Sequence, residues 1–223
     1  MLQDATALVR AILVPIAALL PIVNPIGSAP IFLSMSADLP APVRYVLARR
    51  VAWYAFLLLT AAMLIGSYVL AFFGISLPIV RVGGGLLVTA NGWRLLYADT
   101  ATTDVKPPAT DAWDREVARR AFYPLTFPTT VGPGSVTVAI TLGARIPGRG
   151  VSAISTLVID LVAVAIVSLI LYLSFRYASR LIGMLGETGT IVFVRMSSFI
   201  LLCIGVSIIW SGVLGLIEPL LRR

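Results

Sequence analysis

Residues 21–33 read PIVNPIGSAPIFL and place three prolines and a glycine inside an otherwise apolar stretch. Proline lacks a backbone N–H and clashes with the carbonyl one turn back, so each proline interrupts a helix. In lipid, backbone groups freed in this way cost several kcal/mol each unless protein or water pairs with them. The stretch therefore predicts a broken membrane helix whose free backbone groups face protein or a wet cavity.

The composition predicts an integral membrane protein. The chain has 223 residues, of which 59% are hydrophobic and 12% charged, with a mean hydropathy of +0.99. One soluble core of this size cannot bury so much apolar surface. A bilayer core takes about 20 helical residues per crossing. We expect an all-α polytopic protein with six transmembrane helices, formed by the apolar segments at about 6–35, 51–74, 78–97, 121–144, 152–174 and 190–217.

The net charge of +7 indicates lipid contact and sets an orientation. In a soluble protein this charge would suggest nucleic acid, but here the arginines cluster at the ends of apolar segments, where lipid headgroups attract them. The loops after odd-numbered segments hold nine cationic residues and the other side five: Arg44, Arg49, Arg50, Lys106, Arg115, Arg119, Arg120, Arg176 and Arg180, against Arg10, Arg145, Arg149, Arg222 and Arg223. The positive-inside rule then predicts cytoplasmic odd loops and both termini outside the cytoplasm.

The sequence offers little for catalysis. It has a single cysteine, Cys203, which allows no intramolecular disulfide and no cysteine metal cluster, and it has no histidine, so we expect neither zinc chemistry nor Ser-His-Asp catalysis. No nucleophile–base pair and no ATP-binding P-loop are visible. We expect no enzyme activity, no metal and no cofactor.

The proline spacing recurs in the second half of the chain. PIVNPIGSAP (21–30) and PLTFPTTVGP (124–133) align their three prolines at one constant offset of 103 residues. Three spans per half is an odd number, so the second half must enter the membrane from the opposite side. We therefore predict two inverted three-helix repeats, each with a broken first helix, at 1–97 and 119–223, joined by a polar cytoplasmic linker at 98–118.

Polar groups flank both predicted breaks. Apolar segments at 30–35 and 136–142 follow them and favour a restarted helix, with Ser28 and Ser135 as N-caps. Two half-helices would then direct positive N-termini toward the membrane midplane, as in secondary transporters built from inverted repeats. The predicted substrate-binding residues are Asn24, Pro25, Gly27, Ser28, Thr129, Thr130, Gly132, Gly134 and Ser135.

A packing kink is the alternative for each break, because proline and glycine are frequent in membrane helices. Duplication of the motif in equivalent spans favours a binding site. Glycine-rich faces in the third and sixth spans predict close helix packing instead; they comprise Gly83, Gly84, Gly85 and Gly92, then Gly205, Ser207, Gly212 and Gly215.

Asp160 is the one acid inside an apolar run, TLVIDLVAVAIV. An intramembrane acid marks a functional hypothesis, since a charge at that depth is costly. Asp160 is a candidate for proton or cation coupling. A structural ion pair with Arg81 or Arg195 is an equally good interpretation.

Three stretches together, NPIGSAPIFL, RVGGG and FPTTVGPGSVT, resemble the MarC family of bacterial inner-membrane proteins. The likeness runs from about residue 5 to residue 217. It implies a six-helix protein of two three-helix repeats in the inner membrane, and transport of small amino acids such as alanine, glycine or serine. Phe127 precedes Pro128 where Asn24 precedes Pro25, so the two breaks differ in their polar groups.

The duplicated breaks predict a secondary transporter that works by alternating access between the two repeats, and the resemblance implies that its substrates are small neutral amino acids. Its partners would be the amino acid and membrane lipid, and a homo-oligomer is compatible with the pattern. Two rivals stay open: a channel or exporter for another small solute or drug, and a non-transporting scaffold or sensor that works through residues 98–118.

Overall fold

The computed structural model describes residues 2–97, 113–145 and 151–221, and within these ranges it is all helical. The expected all-α class is therefore confirmed for them. Residues 98–112 of the predicted linker lie outside the described residues, and the linker's last residues belong to α5. The elements are α1 Leu2–Val23, α2 Ala29–Ser34, α3 Ala41–Phe72, α4 Leu77–Tyr97, α5 Trp113–Arg120, a π-type segment Ala121–Thr130, α6 Pro133–Gly143, α7 Val151–Arg176 and α8 Ala178–Leu221.

In the part of the chain that the structure describes, three helical stretches are long and apolar enough to cross a membrane: Ala41–Phe72, Ala153–Arg176 and Thr188–Glu218. Shorter apolar helices occupy Val9–Val23 and Pro133–Gly143, because the proline breaks divide the first and fourth predicted spans. The helix α4 has the length of a span but carries two arginines and an asparagine, which lower its hydropathy. The fold is that of a polytopic membrane protein, and the number of six crossings stays a prediction.

The core lies where α3 meets α6, α7 and the π-type segment. Leu47, Leu59 and Leu171 are fully buried there. Two glycines bring α3 and α6 into close contact, since a Cβ on Gly66 would meet Ile140 and one on Gly143 would meet the backbone of Met63. Large apolar side chains such as those on the outer face of α3 remain exposed, as expected for a surface that lipid covers.

The helices α4 and α8 form an antiparallel pair with glycines at the contact. A Cβ on Gly85 would lie 2.8 Å from the carbonyl oxygen of Gly205, and one on Gly92 would lie 2.7 Å from the nitrogen of Leu202. Gly212, further along α8, faces Pro78 at the start of α4. The small residues let the two backbones approach, as membrane helices commonly do.

The predicted glycine faces are correct for most members, with two corrections. Gly83 has open space around it, and Ser207 is exposed, so neither belongs to the contact. Gly84 is in close contact as predicted, but its neighbour is Thr137 of α6, whereas Gly85 and Gly92 meet α8. Period and composition revealed that α4 has a small-residue face, but not which neighbour each glycine meets.

Two features fix the ends of the bundle. Gly186 has φ 67° and turns the chain inside α8, a conformation that glycine adopts without steric cost. Near α5, Arg120 donates from Nη1 to both carboxylate oxygens of Asp38 at 2.9 Å, with both side chains about 10% exposed. This ion pair ties the segment after α2 to the start of the π-type segment.

Candidate functional site

The first break is organised by Asn24. Its backbone has φ 45°, a left-handed conformation that asparagine tolerates better than other residues with a Cβ, and this ends α1. Its side-chain Oδ1 accepts a hydrogen bond from the Gly27 N–H at 3.2 Å. Its carbonyl accepts from both the N–H and the hydroxyl of Ser28, at 3.0 and 2.8 Å. One residue therefore pairs most of the polar groups that the break exposes.

Ser28 takes the N-cap position of α2, as predicted, but does not use its hydroxyl as a cap. The hydroxyl donates back to Asn24 instead. Pro30 falls in the first turn of α2, where its missing N–H costs nothing. The restarted helix is only six residues long, Ala29–Ser34, so it is too short to carry an N-terminal binding site of its own.

The second break spans the π-type segment and the two residues after it. Tyr123 and Phe127 leave the helical region, at ψ 125° and 129°, because each precedes a proline that disfavours the α conformation. Buried threonine hydroxyls satisfy the loosened backbone: Thr126 donates to the Ala121 carbonyl at 2.6 Å, and Thr130 donates to the Leu125 carbonyl at 2.7 Å. The irregular backbone is thus paired largely within the protein, as its depth in a membrane requires.

The start of α6 corrects one prediction. Gly132, with ψ 179°, is the N-cap of α6, and Pro133 opens the helix. Ser135 is not the cap; it lies in the first turn and is buried. The N–H groups of Gly134 and Ser135 lie in that first turn and have no acceptor within the helix.

Both breaks line the same cavity, whose volume is about 420 Å³. Pro25 and Gly27 do not line it; both are buried in the turn behind Asn24. The other predicted site residues all do: Asn24, Ser28, Thr129, Thr130, Gly132, Gly134 and Ser135. Residues of both breaks therefore meet at one space; Pro128 and Pro133 form part of its wall, whereas their first-half counterparts Pro25 and Pro30 do not.

A third wall comes from α4, and sequence reasoning missed it. Asn91 and Arg94 line the cavity, and the Arg94 Nη2 donates to the Asn91 Oδ1 at 3.4 Å. Leu87, Val88 and Leu201 add apolar surface. The available signal was the pair of polar residues in NGWR, Asn91 and Arg94, which lie about one turn apart inside an apolar span.

Asp160 lies elsewhere in the molecule. It is 3% exposed within α7 and is not part of the cavity wall. Among the described residues, its Oδ2 has no hydrogen-bond partner, and no ion pair joins it to Arg81 or Arg195. Arg145, at the end of α6, is the cation that interacts with it electrostatically.

The cavity offers amide, hydroxyl and guanidinium groups. In the ranges that the structure describes, no three His, Cys, Asp or Glu side chains come together as metal ligands. A family model described as MarC family integral membrane protein matches residues 9–217. The chain belongs to the MarC family. The predicted resemblance is therefore confirmed.

Curated relatives agree with this assignment. The inner membrane protein MarC of Escherichia coli K12 and that of Escherichia coli O1:K1 are each 29% identical over 215 residues, which cover 95% of this chain and 97% of the relative. No solved structure matches the chain. Together with its apolar helices, these relatives support an inner-membrane location for this MarC-family chain. The orientation of its termini stays a prediction.

Proposed function

We propose that this chain is a secondary transporter for small neutral amino acids, with the substrate bound in the cavity between the two proline breaks. The observation that carries the proposal is that both breaks line this one space of about 420 Å³. That volume falls within the range of about 300–1,000 Å³ typical of small-molecule sites. Packing kinks have no need to converge on a cavity.

The lining suits a zwitterion. A carboxylate would pair with the Arg94 guanidinium and with the first-turn N–H groups of Gly134 and Ser135, at the positive end of α6. The ammonium would meet hydroxyl and carbonyl oxygens around Thr129. The apolar side chains of the α4 wall would contact a small side chain and leave little polar compensation for a large charged one.

The same proposal includes two inverted repeats, 1–97 and 119–223, with 98–118 between them. The packing supports this: α3 packs on the π-type segment and α6, while α7 packs on α1 and α2. In the proposed repeats α1 corresponds to the π-type segment, α2 to α6, α3 to α7 and α4 to α8. The contacts of α3 then correspond to those of α7, and the α4–α8 pair joins two equivalent helices. An antiparallel α4–α8 pair is what an inverted arrangement requires. Rocking one repeat against the other would then open the cavity to each side in turn.

Asp160 is our candidate for coupling transport to a proton or cation. Its burial and the unpaired Oδ2 support this, since an acid within a membrane span is costly unless it serves a function. Asp160→Asn should abolish gradient-driven accumulation yet leave substrate exchange intact. If accumulation under a proton or sodium gradient is unchanged in this variant, Asp160 has a structural role.

The test of the main proposal is uptake of labelled alanine, glycine and serine into proteoliposomes, with alaninamide as a competitor that lacks the carboxylate. Wild type should show saturable uptake and reject alaninamide. Arg94→Gln should weaken alanine affinity about tenfold or more, since hydrogen bonds to charged groups contribute about 1.5–3 kcal/mol. The same substitution should change competition by alaninamide little, because alaninamide has no carboxylate to pair with Arg94.

Ser207→Ala, at an exposed position away from the cavity, is the matched control. Flux that rises linearly without saturation would indicate a channel. Absence of both binding and movement of all three amino acids would overturn the proposal. Removal of most of 98–118 should spare transport, whereas a scaffold that works through this segment would lose its function.

A further inference from the structure

A second cavity, of about 380 Å³, lies where α2, the start of α3 and the α7–α8 junction meet. None of the described residues that line it is acidic. Arginine and aromatic residues dominate the lining; they include Arg44, Arg176, Arg180, Tyr45, Tyr177 and Phe175. It shares no residue with the cavity between the breaks.

Aromatic rings and a hydroxyl position Arg176. Its guanidinium carbon lies 4.9 Å from the centre of the Tyr45 ring, and its Nη1 donates to the Tyr172 hydroxyl at 2.6 Å. Arg180 lies 5.8 Å from the centre of the Tyr177 ring. These contacts hold the guanidinium groups in place without neutralising them.

The three arginines lack counter-ions among the described residues. The nearby ion pair joins Arg120 to Asp38 and involves none of the three. Beneath the cavity, Phe32 and Phe175 stack with ring centres 4.4 Å apart and form a rigid apolar floor. Three positive charges therefore line one concave space between packed helices, and this arrangement suits an anion.

The depth of the cavity points to the source of that anion. The apolar span Ala153–Arg176 ends at Arg176, so the arginines lie where hydrocarbon gives way to headgroups. Guanidinium groups match phosphate oxygens in geometry and charge. Basic pockets between helices at this level attract anionic lipid headgroups.

We propose that this cavity binds a phosphate group, presented by the headgroup of an anionic phospholipid, whose acyl chains lie along the apolar surface beside α3 and α7. A free phosphate ion shares the chemistry but comes from solution. The proposal is independent of any transported substrate, so it stands or falls separately from the proposed function.

The experiment measures lipid binding to the purified full chain in detergent by native mass spectrometry. The probes are short-chain phosphatidylglycerol, short-chain phosphatidylethanolamine and inorganic phosphate. Phosphatidylglycerol should bind better than phosphatidylethanolamine. Arg44→Gln, Arg176→Gln and Arg180→Gln should each weaken it about fivefold, the effect of about 1 kcal/mol per cation at a membrane surface.

Arg49→Gln is the matched control, because Arg49 is exposed on the same helix as Arg44 but does not line the cavity. It should bind phosphatidylglycerol like wild type. Arg176→Lys should recover part of the loss, since it keeps the charge but not the planar fork. Gel filtration and melting curves establish whether each variant is folded. If Arg176→Gln does not fold, Arg180→Gln provides the test, because Arg180 is exposed.

Each possible outcome either supports or overturns the proposed lipid site. Inorganic phosphate that binds alone, with the same loss in the three variants, would keep the phosphate site but reject the lipid as its source. Phosphatidylglycerol binding that Arg49→Gln weakens as much as the cavity variants would overturn the site. The absence of binding by every probe would overturn it as well.

Discussion

At the scale of single residues, Asn24 serves the fold and the proposed site through different atoms. Its backbone takes φ 45°, its Oδ1 caps Gly27, and its carbonyl pairs with Ser28. Among the described residues its Nδ2 makes no hydrogen bond, and the residue lines the cavity. The nitrogen is therefore the atom of Asn24 through which we expect a contact with the proposed substrate.

Three substitutions of Asn24 separate these roles. Asn24→Asp keeps the acceptor for Gly27 but loses the amide nitrogen, so it should retain stability and lose transport. Asn24→Gly keeps the left-handed backbone and loses the side chain. Asn24→Ala loses both and should be less stable than Asn24→Gly by about 1 kcal/mol, the cost of a left-handed residue with a Cβ. Melting curves and proteoliposome uptake provide the two readouts.

Equal stability of the alanine and glycine variants would show that the left-handed backbone is not costly at this position. Full transport by Asn24→Asp would show that the amide nitrogen has no part in binding. Ser207→Ala again provides the comparison, because Ser207 is exposed on α8.

Residue chemistry also explains what the sequence could reveal of the site. Proline acts on its own neighbours, so both breaks and most of their polar residues follow from local sequence. Arg94 lines the cavity because of the way α4 faces the breaks, which depends on tertiary packing. Ser135 looked like a cap by residue type, but Gly132 and Pro133 already start α6 one turn earlier.

At the scale of elements, the contact between α4 and α8 depends on where each glycine points. Gly83 and Gly85 lie two residues apart on α4, and only Gly85 faces the backbone of α8. A sequence pattern identifies a face rich in glycine but cannot distinguish these two positions. Substitutions at Gly83 and Gly85 therefore form a matched pair of variants.

Gly85→Ala should destabilise the protein by about 1–3 kcal/mol, because the new Cβ would lie 2.8 Å from the Gly205 carbonyl oxygen and force the helices apart. Gly83→Ala, which points into open space, should be neutral or stabilising, since alanine favours helix more than glycine. Melting temperatures in detergent measure both. Similar melting of the two variants would mean that close approach of α4 and α8 contributes nothing.

The ion pair between Asp38 and Arg120 links two elements that the sequence separates by 82 positions. Asp38→Asn should lower stability by about 1–3 kcal/mol, because the two hydrogen bonds that the mostly buried Arg120 donates to Asp38 then lose their charged acceptor. Asp38→Glu, which keeps the charge, should recover part of this. A melting temperature of Asp38→Asn equal to that of wild type would show that solvent screens the pair.

At the scale of the whole molecule, hydropathy predicted the membrane class because lipid imposes one simple requirement on every span. Hydropathy applied to the helices of the structure does not establish the number of crossings. The breaks divide two predicted spans into short helices, and α4 carries polar residues that line the cavity. The properties that obscure a span in a hydropathy profile are those that build the site.

The predicted orientation can be measured directly. Alkaline phosphatase fused after residue 223 should be active, because the positive-inside rule places both termini outside the cytoplasm. The same reporter inserted within 98–112 should be inactive. A fluorescent protein that folds only in the cytoplasm should give the opposite pattern at both sites. Activity at both positions would contradict an odd number of spans between them.

Alternating access makes a further demand on the whole molecule, namely that water reaches the cavity from each side in turn. Cys203 is the single cysteine and is exposed, so Cys203→Ser gives a background for labelling. Thr129→Cys, which lines the cavity, should react with a polar thiol reagent in both right-side-out and inverted vesicles, and alanine should slow the reaction in both.

Leu57→Cys provides the control, because Leu57 is exposed on the apolar outer face of α3, where lipid should exclude a polar reagent. Labelling of Thr129→Cys from one side alone, unchanged by alanine, would indicate a static vestibule. Labelling from both sides at once, together with flux that does not saturate, would indicate a channel. Protection by alanine from either side requires a single site that changes its exposure, because a ligand shifts a conformational equilibrium only by binding one state better than another.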